Sequence, residues 1–220
     1  MEEKVIDVKN NFISKTFLWM FLGLFATGLI SYFTYQSGLT ENLFYSGTFS
    51  ILCIIEVAVV LVFSFLFRKL SPGVVAILYF VYAIINGVGL SVIFYTFEIE
   101  SIALVFFGTS ALFGIFALLG YTTKLDLSKV GNICMGALVL GVILSIINLF
   151  IYNSILKIIL DLGLLVVFFG VTAYDIQKIK MMQKEVENTD EKLHIYAAME
   201  IYLDFINIFI RLLSLFGKRK

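Results

Sequence analysis

Seven runs of roughly twenty almost wholly apolar residues constrain this chain more than anything else in it. Twenty helical residues rise about 30 Å, the thickness of a bilayer's hydrocarbon core. In lipid a backbone satisfies its own hydrogen bonds only as a helix or in a closed barrel. These runs read as helices. The spans are expected at about Thr16–Tyr35, Phe44–Phe67, Val74–Phe94, Ile102–Tyr121, Val130–Ile151, Ile155–Ile179 and Ile195–Phe216. Composition agrees: 60% of the 220 residues are hydrophobic, against about 45–50% in soluble domains. The expected fold is an all-α integral membrane protein forming one transmembrane domain, with no linker and no second domain.

The ends and loops set orientation. Met1–Lys15 carries Glu2, Glu3 and Asp7 and no small-residue cleavage site follows it, so it reads as a short cytosolic tail and not a signal peptide. Lysine and arginine gather in that tail and in the turns after segments two, four and six, which places the N-terminus in the cytosol. The terminal Lys218-Arg219-Lys220 then falls outside, against the rule. Either the last segment re-enters and returns, or it spans and tolerates a short basic end; spanning is favoured. Formal net charge is zero, so no nucleic-acid partner is implied. Cys53 and Cys134 sit inside apolar segments and read as small buried hydrophobes. Ser110 and Gly114, four apart, would allow a close helix approach, and Gly87 and Gly89 would loosen segment three.

The last segment breaks the apolar pattern. Glu200, Asp204, Asn207, Arg211 and Ser214 follow one another at steps of four and three, and so form one stripe on a helix. A stripe of this kind must face protein or a water-filled path, which makes this helix a candidate for the centre of the bundle. Each charge at the bilayer centre costs about 2.5–3.5 kcal/mol on insertion scales. Asp175 lies about 6–8 Å inside the cytosolic end of segment six, and Asp204 about 13 Å inside segment seven. Antiparallel neighbours would bring the two to similar depth, with Arg68 near that tier. Glu56 is near mid-membrane, while Arg211 and Asp161 lie towards the outer side. Two carboxyls meeting in a dry site share a proton and titrate as a pair. Deprotonated, they attract a hard cation such as calcium through oxygen ligands. Asp161, one turn after Lys157, reads as an ordinary i,i+4 pair. His194 reads as a plain polar residue at a helix start.

AYDIQKIK at Ala173–Lys180 and YLDFINIF at Tyr202–Phe209, with the seven-segment layout over the whole length, resemble the bacterial form of the Bax inhibitor-1-like (transmembrane Bax-inhibitor-motif) family. The resemblance implies two three-helix layers around a central C-terminal helix, and a pH-sensitive calcium leak in a bacterial plasma (inner) membrane. It implies a hydrogen-bonded dyad, here Asp175 and Asp204, which would also touch transient calcium. It implies a latch arginine and an acidic residue in the second helix, matched by Arg68 and Glu56. Glu200 departs from the pattern as a third carboxylate, and the basic tail is short.

The residues leave several functions open. The stripe itself reads as an acidic path for a cation or proton; the resemblance implies a calcium leak, the favoured reading, with Glu56, Glu200, Asn207 and Arg211 in the path or its supporting network. The alternative is an interaction protein that restrains a membrane-anchored protease or acts in a stress or cell-death pathway, with contacts in Met181–His194. An intramembrane aspartyl protease is disfavoured, because the sole proline is Pro72 and Asp204 lacks a preceding glycine pattern. A single histidine and the lack of a phosphate-binding glycine loop argue against zinc hydrolysis and nucleotide chemistry. The chain is therefore expected to be no enzyme and to hold no tightly bound cofactor. Its partners would be the lipid bilayer and the calcium it passes.

Overall fold

The computed structural model describes residues 2–45, 48–185 and 191–220, and side chains in 12–43, 51–52, 54–183 and 192–220. Among these the structure is helical: α1 (Glu2–Gln36), α2 (Leu39–Tyr45), α3 (Thr48–Leu66), α4 (Pro72–Leu90), α5 (Val92–Thr96), α6 (Ile99–Thr122), α7 (Ser128–Ile151), α8 (Ser154–Glu185) and α9 (Glu191–Phe216). A 3-10 turn, Phe67–Lys69, follows α3. Five stretches are long and apolar enough to cross a membrane: Phe12–Gln36, Pro72–Thr96, Ile99–Thr122, Ser128–Ile151 and Ser154–Gln183. The protein is an integral membrane protein. α9 is left out of that set because Glu200, Asp204 and Arg211 dilute its apolar character. The expected N-terminal tail continues α1 back to Glu2.

The chain divides into two compact units. The first comprises Met1–Glu98, Gln183–Tyr202 and Arg219–Lys220. Here α4 packs on α1 and α3. Pro72 starts α4 at a position where its missing N–H costs nothing and its fixed φ suits the helix. The close α1–α4 approach needs Gly87, since a Cβ there would stand 2.8 Å from the Thr27 carbonyl. Gly89 likewise leaves room for the Glu56 carboxylate, whose Oε1 lies 2.8 Å from the position a Cβ would take. These glycines seat neighbours and do not loosen the helix. The interruption comes at Ser91, which separates α4 from α5 and donates to the Val88 carbonyl at 2.7 Å.

Residues near the start of the last helix and just beyond its end both bond within this unit. Near its start, His194 meets the Phe12 ring edge-on at 6.1 Å, and Lys192 Nζ donates to the Arg68 carbonyl at 3.2 Å. Beyond its end, the Lys220 N–H donates to the Thr96 carbonyl at 3.1 Å. Lys220 Nζ reaches the Phe94 carbonyl at 2.7 Å and the Tyr35 hydroxyl at 3.1 Å. From Phe12 to Tyr35 α1 rises about 35 Å. The contacts of His194 and of Lys220 thus fall at opposite ends of α1. The basic end is held by carbonyls and by the Tyr35 ring, 5.0 Å from the ammonium.

The second unit comprises Ile99–Met182 and Leu203–Lys218. Here α8 is seated by small residues of its neighbours. A Cβ at Gly120 of α6 would collide with the Ala173 carbonyl. A Cβ at Gly131 of α7 would meet the Tyr174 ring at 2.6 Å. Cys134 packs against Gly170 but is half-buried and not buried as expected; the Cys53 side chain lies outside the described residues. Ser110 and Gly114 form no close approach, which corrects the sequence expectation. Gly114 faces open space, and exposed Ser110 bonds its own helix at the Phe106 carbonyl, 2.9 Å away. Asn153 caps α8 by accepting the Ile155 and Leu156 N–H groups at 2.9 and 3.0 Å.

Candidate functional site

Most motif residues of α8 have a physical task that can be named. Ala173 takes the close approach of Gly120, and Tyr174 covers Gly131. Ile176 and Ile179 are buried. Gln177 ties the helix to the α6–α7 turn, donating to the Leu125 carbonyl at 2.7 Å and accepting the Leu127 N–H at 2.8 Å. Lys180 donates to the Tyr121 carbonyl and sits 4.8 Å from that ring. Backbone and side-chain ties thus fix both the height and the rotation of α8 around Asp175, which is 9% exposed.

The α9 motif is as constrained. Within the second unit Phe205 packs edge-on against Phe106 at 5.4 Å and Phe113 at 5.6 Å. Ile208 is wholly buried. Asn207 satisfies its amide on its own helix, donating to the Leu203 carbonyl at 2.8 Å. Asp204 is 4% exposed. Most of α9 is buried, and no member of its polar stripe is fully exposed: Asp204 is buried, while Glu200, Asn207, Arg211 and Ser214 are half-buried. This fits the requirement that a polar stripe at membrane depth face protein.

The height of the two aspartates follows from a contact further along the same helices. Asp161 on α8 accepts the Ser214 hydroxyl of α9 at 2.7 Å, which sets these two residues level. From there Asp175 lies about 21 Å along α8 and Asp204 about 15 Å back along α9. Two buried carboxylates of the second unit thus lie within about two turns of one another in depth.

The Asp161 contact is also where sequence reading fell short. Asp161 is not a simple surface pair with Lys157. Its Oδ2 accepts Lys157 Nζ at 2.7 Å, its Oδ1 accepts Arg211 Nη1 at 2.7 Å, and the residue is 3% exposed. Arg211 turns into the protein. The signal was present, because Asp161 and Arg211 both fall towards the same end of adjacent antiparallel segments. Gln177 and its turn gave no comparable signal.

The first unit holds the remaining candidates. Arg68 is exposed on the 3-10 turn, where its carbonyl receives Lys192. Glu56 is half-buried on α3 beside Gly89. His194 is not a plain surface residue: it is 7% exposed and packs on Phe12. Tyr202 is wholly buried, and its hydroxyl lies 2.7 Å from Thr27 Oγ1 and 3.3 Å from Asn86 Oδ1. A buried polar cluster thus joins α1, α4 and α9 just before Asp204. Among the described residues no group of three His, Cys, Asp or Glu side chains is placed to hold a metal ion. The stretch Met181–His194, considered as a contact surface, lies partly outside the described residues.

Comparison with known proteins agrees with these motifs. The family model described as inhibitor of apoptosis-promoting Bax1 matches residues 9–220. Inner membrane protein YbhL of Escherichia coli strain K12 is 37% identical over 215 residues, covering 95% of this chain and 92% of that protein. An uncharacterized protein of Borreliella burgdorferi is 32% identical over 224 residues, covering 100% of this chain and 97% of that protein. Uncharacterized protein RP147 of Rickettsia prowazekii is 34% identical over 212 residues, covering 95% and 90%. With its helical membrane architecture and both motifs in place, the chain belongs to the Bax inhibitor-1-like family.

Proposed function

We propose that the protein is a pH-sensitive leak pathway for calcium, gated by Asp175 and Asp204. The observation that carries this reading is the burial of both carboxylates, 9% and 4% exposed, on α8 and α9 of one unit. Charge at such a depth is costly and is retained where it acts on ions or protons. In this reading the pair shares a proton, and deprotonation presents carboxylate oxygens to a passing calcium ion. Arg68 serves as latch for the closed state. Glu56, Glu200, Asn207 and Arg211 line the path or support it. The protein would have no catalytic residues and no tightly bound cofactor.

The same reading gives seven spans arranged as two three-helix layers around α9. The contacts of His194 and Lys220 at opposite ends of α1 support counting α9 as a span, and α3 is nineteen residues of mostly apolar side chains. Basic loops favour a cytosolic N-terminus. The E. coli relative is called an inner membrane protein, which supports a bacterial plasma membrane location.

The test is calcium flux into liposomes that hold the purified protein, scanned from about pH 5 to pH 8. Wild type is compared with Asp175→Asn and Asp204→Asn. The reading expects a pH-dependent flux that either substitution flattens. Flux equal to that of empty liposomes at every pH overturns it, and attention then moves to the family's description as an inhibitor and to a protein partner such as a membrane-anchored protease.

A further inference from the structure

Asp175 and Asp204 lie towards one end of the α8–α9 pair. The other end holds a charged cluster that the gate does not use. Asp161 is its sealed member, with a side chain 5% exposed, against 24% for Arg211 and 51% for Lys157. Its Oδ1 accepts Arg211 Nη1 at 2.7 Å, and its Oδ2 accepts both Lys157 Nζ and Ser214 Oγ at 2.7 Å. The Lys157 ammonium also donates to the Ser214 hydroxyl.

The composition of this cluster is not that of a simple staple. One cation neutralises one carboxylate, and a buried pair is then complete. Here two cations meet one carboxylate, so the tier keeps an excess of one positive charge. Arg211 and Ser214 belong to the polar stripe of α9, so one of the two cations sits on the stripe itself. Its sign is opposite to that of Asp175, about 21 Å away along α8, and of Asp204, about 15 Å away along α9. A divalent cation following the stripe meets a repulsive charge here, where low-dielectric surroundings strengthen the interaction.

We propose that Lys157, Asp161 and Arg211 form an electrostatic filter at this end of the cation path, and that the net positive charge of the tier holds the leak low. The proposal rests on the leak reading above. Calcium flux into liposomes tests it with three variants at one fixed pH. Arg211→Gln and Lys157→Gln each bring the tier to zero, whereas Asp161→Asn brings it to two positive charges. The filter raises flux on the order of tenfold in Arg211→Gln. The rise is smaller in Lys157→Gln, whose charge is already half solvated. In Asp161→Asn flux falls below wild type.

A purely structural bridge gives another pattern. Arg211→Gln and Asp161→Asn break the same contact and would then move flux in the same direction. That result, with wild type conducting, overturns the filter and leaves the leak reading standing. A wild type that passes no calcium overturns both. Should Asp161→Asn fail to fold, as judged by its thermal transition in detergent, the other two variants still decide: neither exceeding wild type refutes the filter.

Discussion

Two glycines six residues apart on α6 offer a matched test of how α8 is seated. Gly120 abuts the α8 backbone, and a Cβ there would collide with the Ala173 carbonyl. Gly114 faces open space, with nothing within 4 Å of an added Cβ. Gly→Ala in a helix gains about 0.5–1 kcal/mol from backbone entropy. At Gly114 that gain stands alone. At Gly120 the methyl meets backbone, which cannot rotate away as a side chain can, so overpacking of about 1–3 kcal/mol opposes it. Gly120→Ala should therefore be less stable than Gly114→Ala by about 1–3 kcal/mol. For a chain of this size that is a difference of roughly 2–12 °C in the thermal midpoint. Thermal unfolding in one detergent, followed by circular dichroism, reads it. Because Ala173 lies two residues before Asp175, Gly120→Ala should also alter the flux pH profile while Gly114→Ala leaves it unchanged. Equal midpoints for the two variants would refute the close-approach argument.

Other parts of the molecule make simpler predictions. Gln177→Ala removes both ties to the α6–α7 turn and should cost about 1–3 kcal/mol; hydrogen exchange should quicken at Leu127, and an unchanged rate would contradict the assigned bond. Asn153→Ala loses the cap of α8 and should cost about 1 kcal/mol in thermal or denaturant unfolding. Asp126 accepts the Ser128 N–H at 2.9 Å, and this bonding holds its carboxyl below the usual range. A depressed carboxyl stabilises above its unfolded value, about 3.9, and loses that effect as pH falls through the folded one. Asp126→Asn should therefore leave the flux profile between about pH 5 and 8 as it is in wild type; a shifted profile would move the pH sensor away from α8 and α9.

The membrane fold was legible because run length alone decides it, and α6 and α7 lie within a few residues of their expected limits. The two motifs were legible because polar residues at membrane depth are rare enough to stand out. Packing partners were not legible. Gly114 and Gly120 sit in similar apolar surroundings in sequence, yet only Gly120 meets another backbone, since helix rotation decides the matter and apolar runs do not encode it. Asp161 was read locally, as a partner of Lys157, because i,i+4 spacing is visible in one helix. Its bond to Arg211 needed the register of two helices. Where Lys220 lands, on the Thr96 and Phe94 carbonyls, is likewise nothing a charge count could supply.

The proposed gate requires Asp175 and Asp204 to exchange a proton in the cellular pH range. Infrared difference spectroscopy of the protein in lipid, titrated from about pH 8 to pH 5, reads the carbonyl stretch of a protonated carboxyl directly. The account predicts a band that grows as pH falls and is lost or displaced in both Asp175→Asn and Asp204→Asn. A band that persists unchanged in both variants, or no band at all, would contradict it.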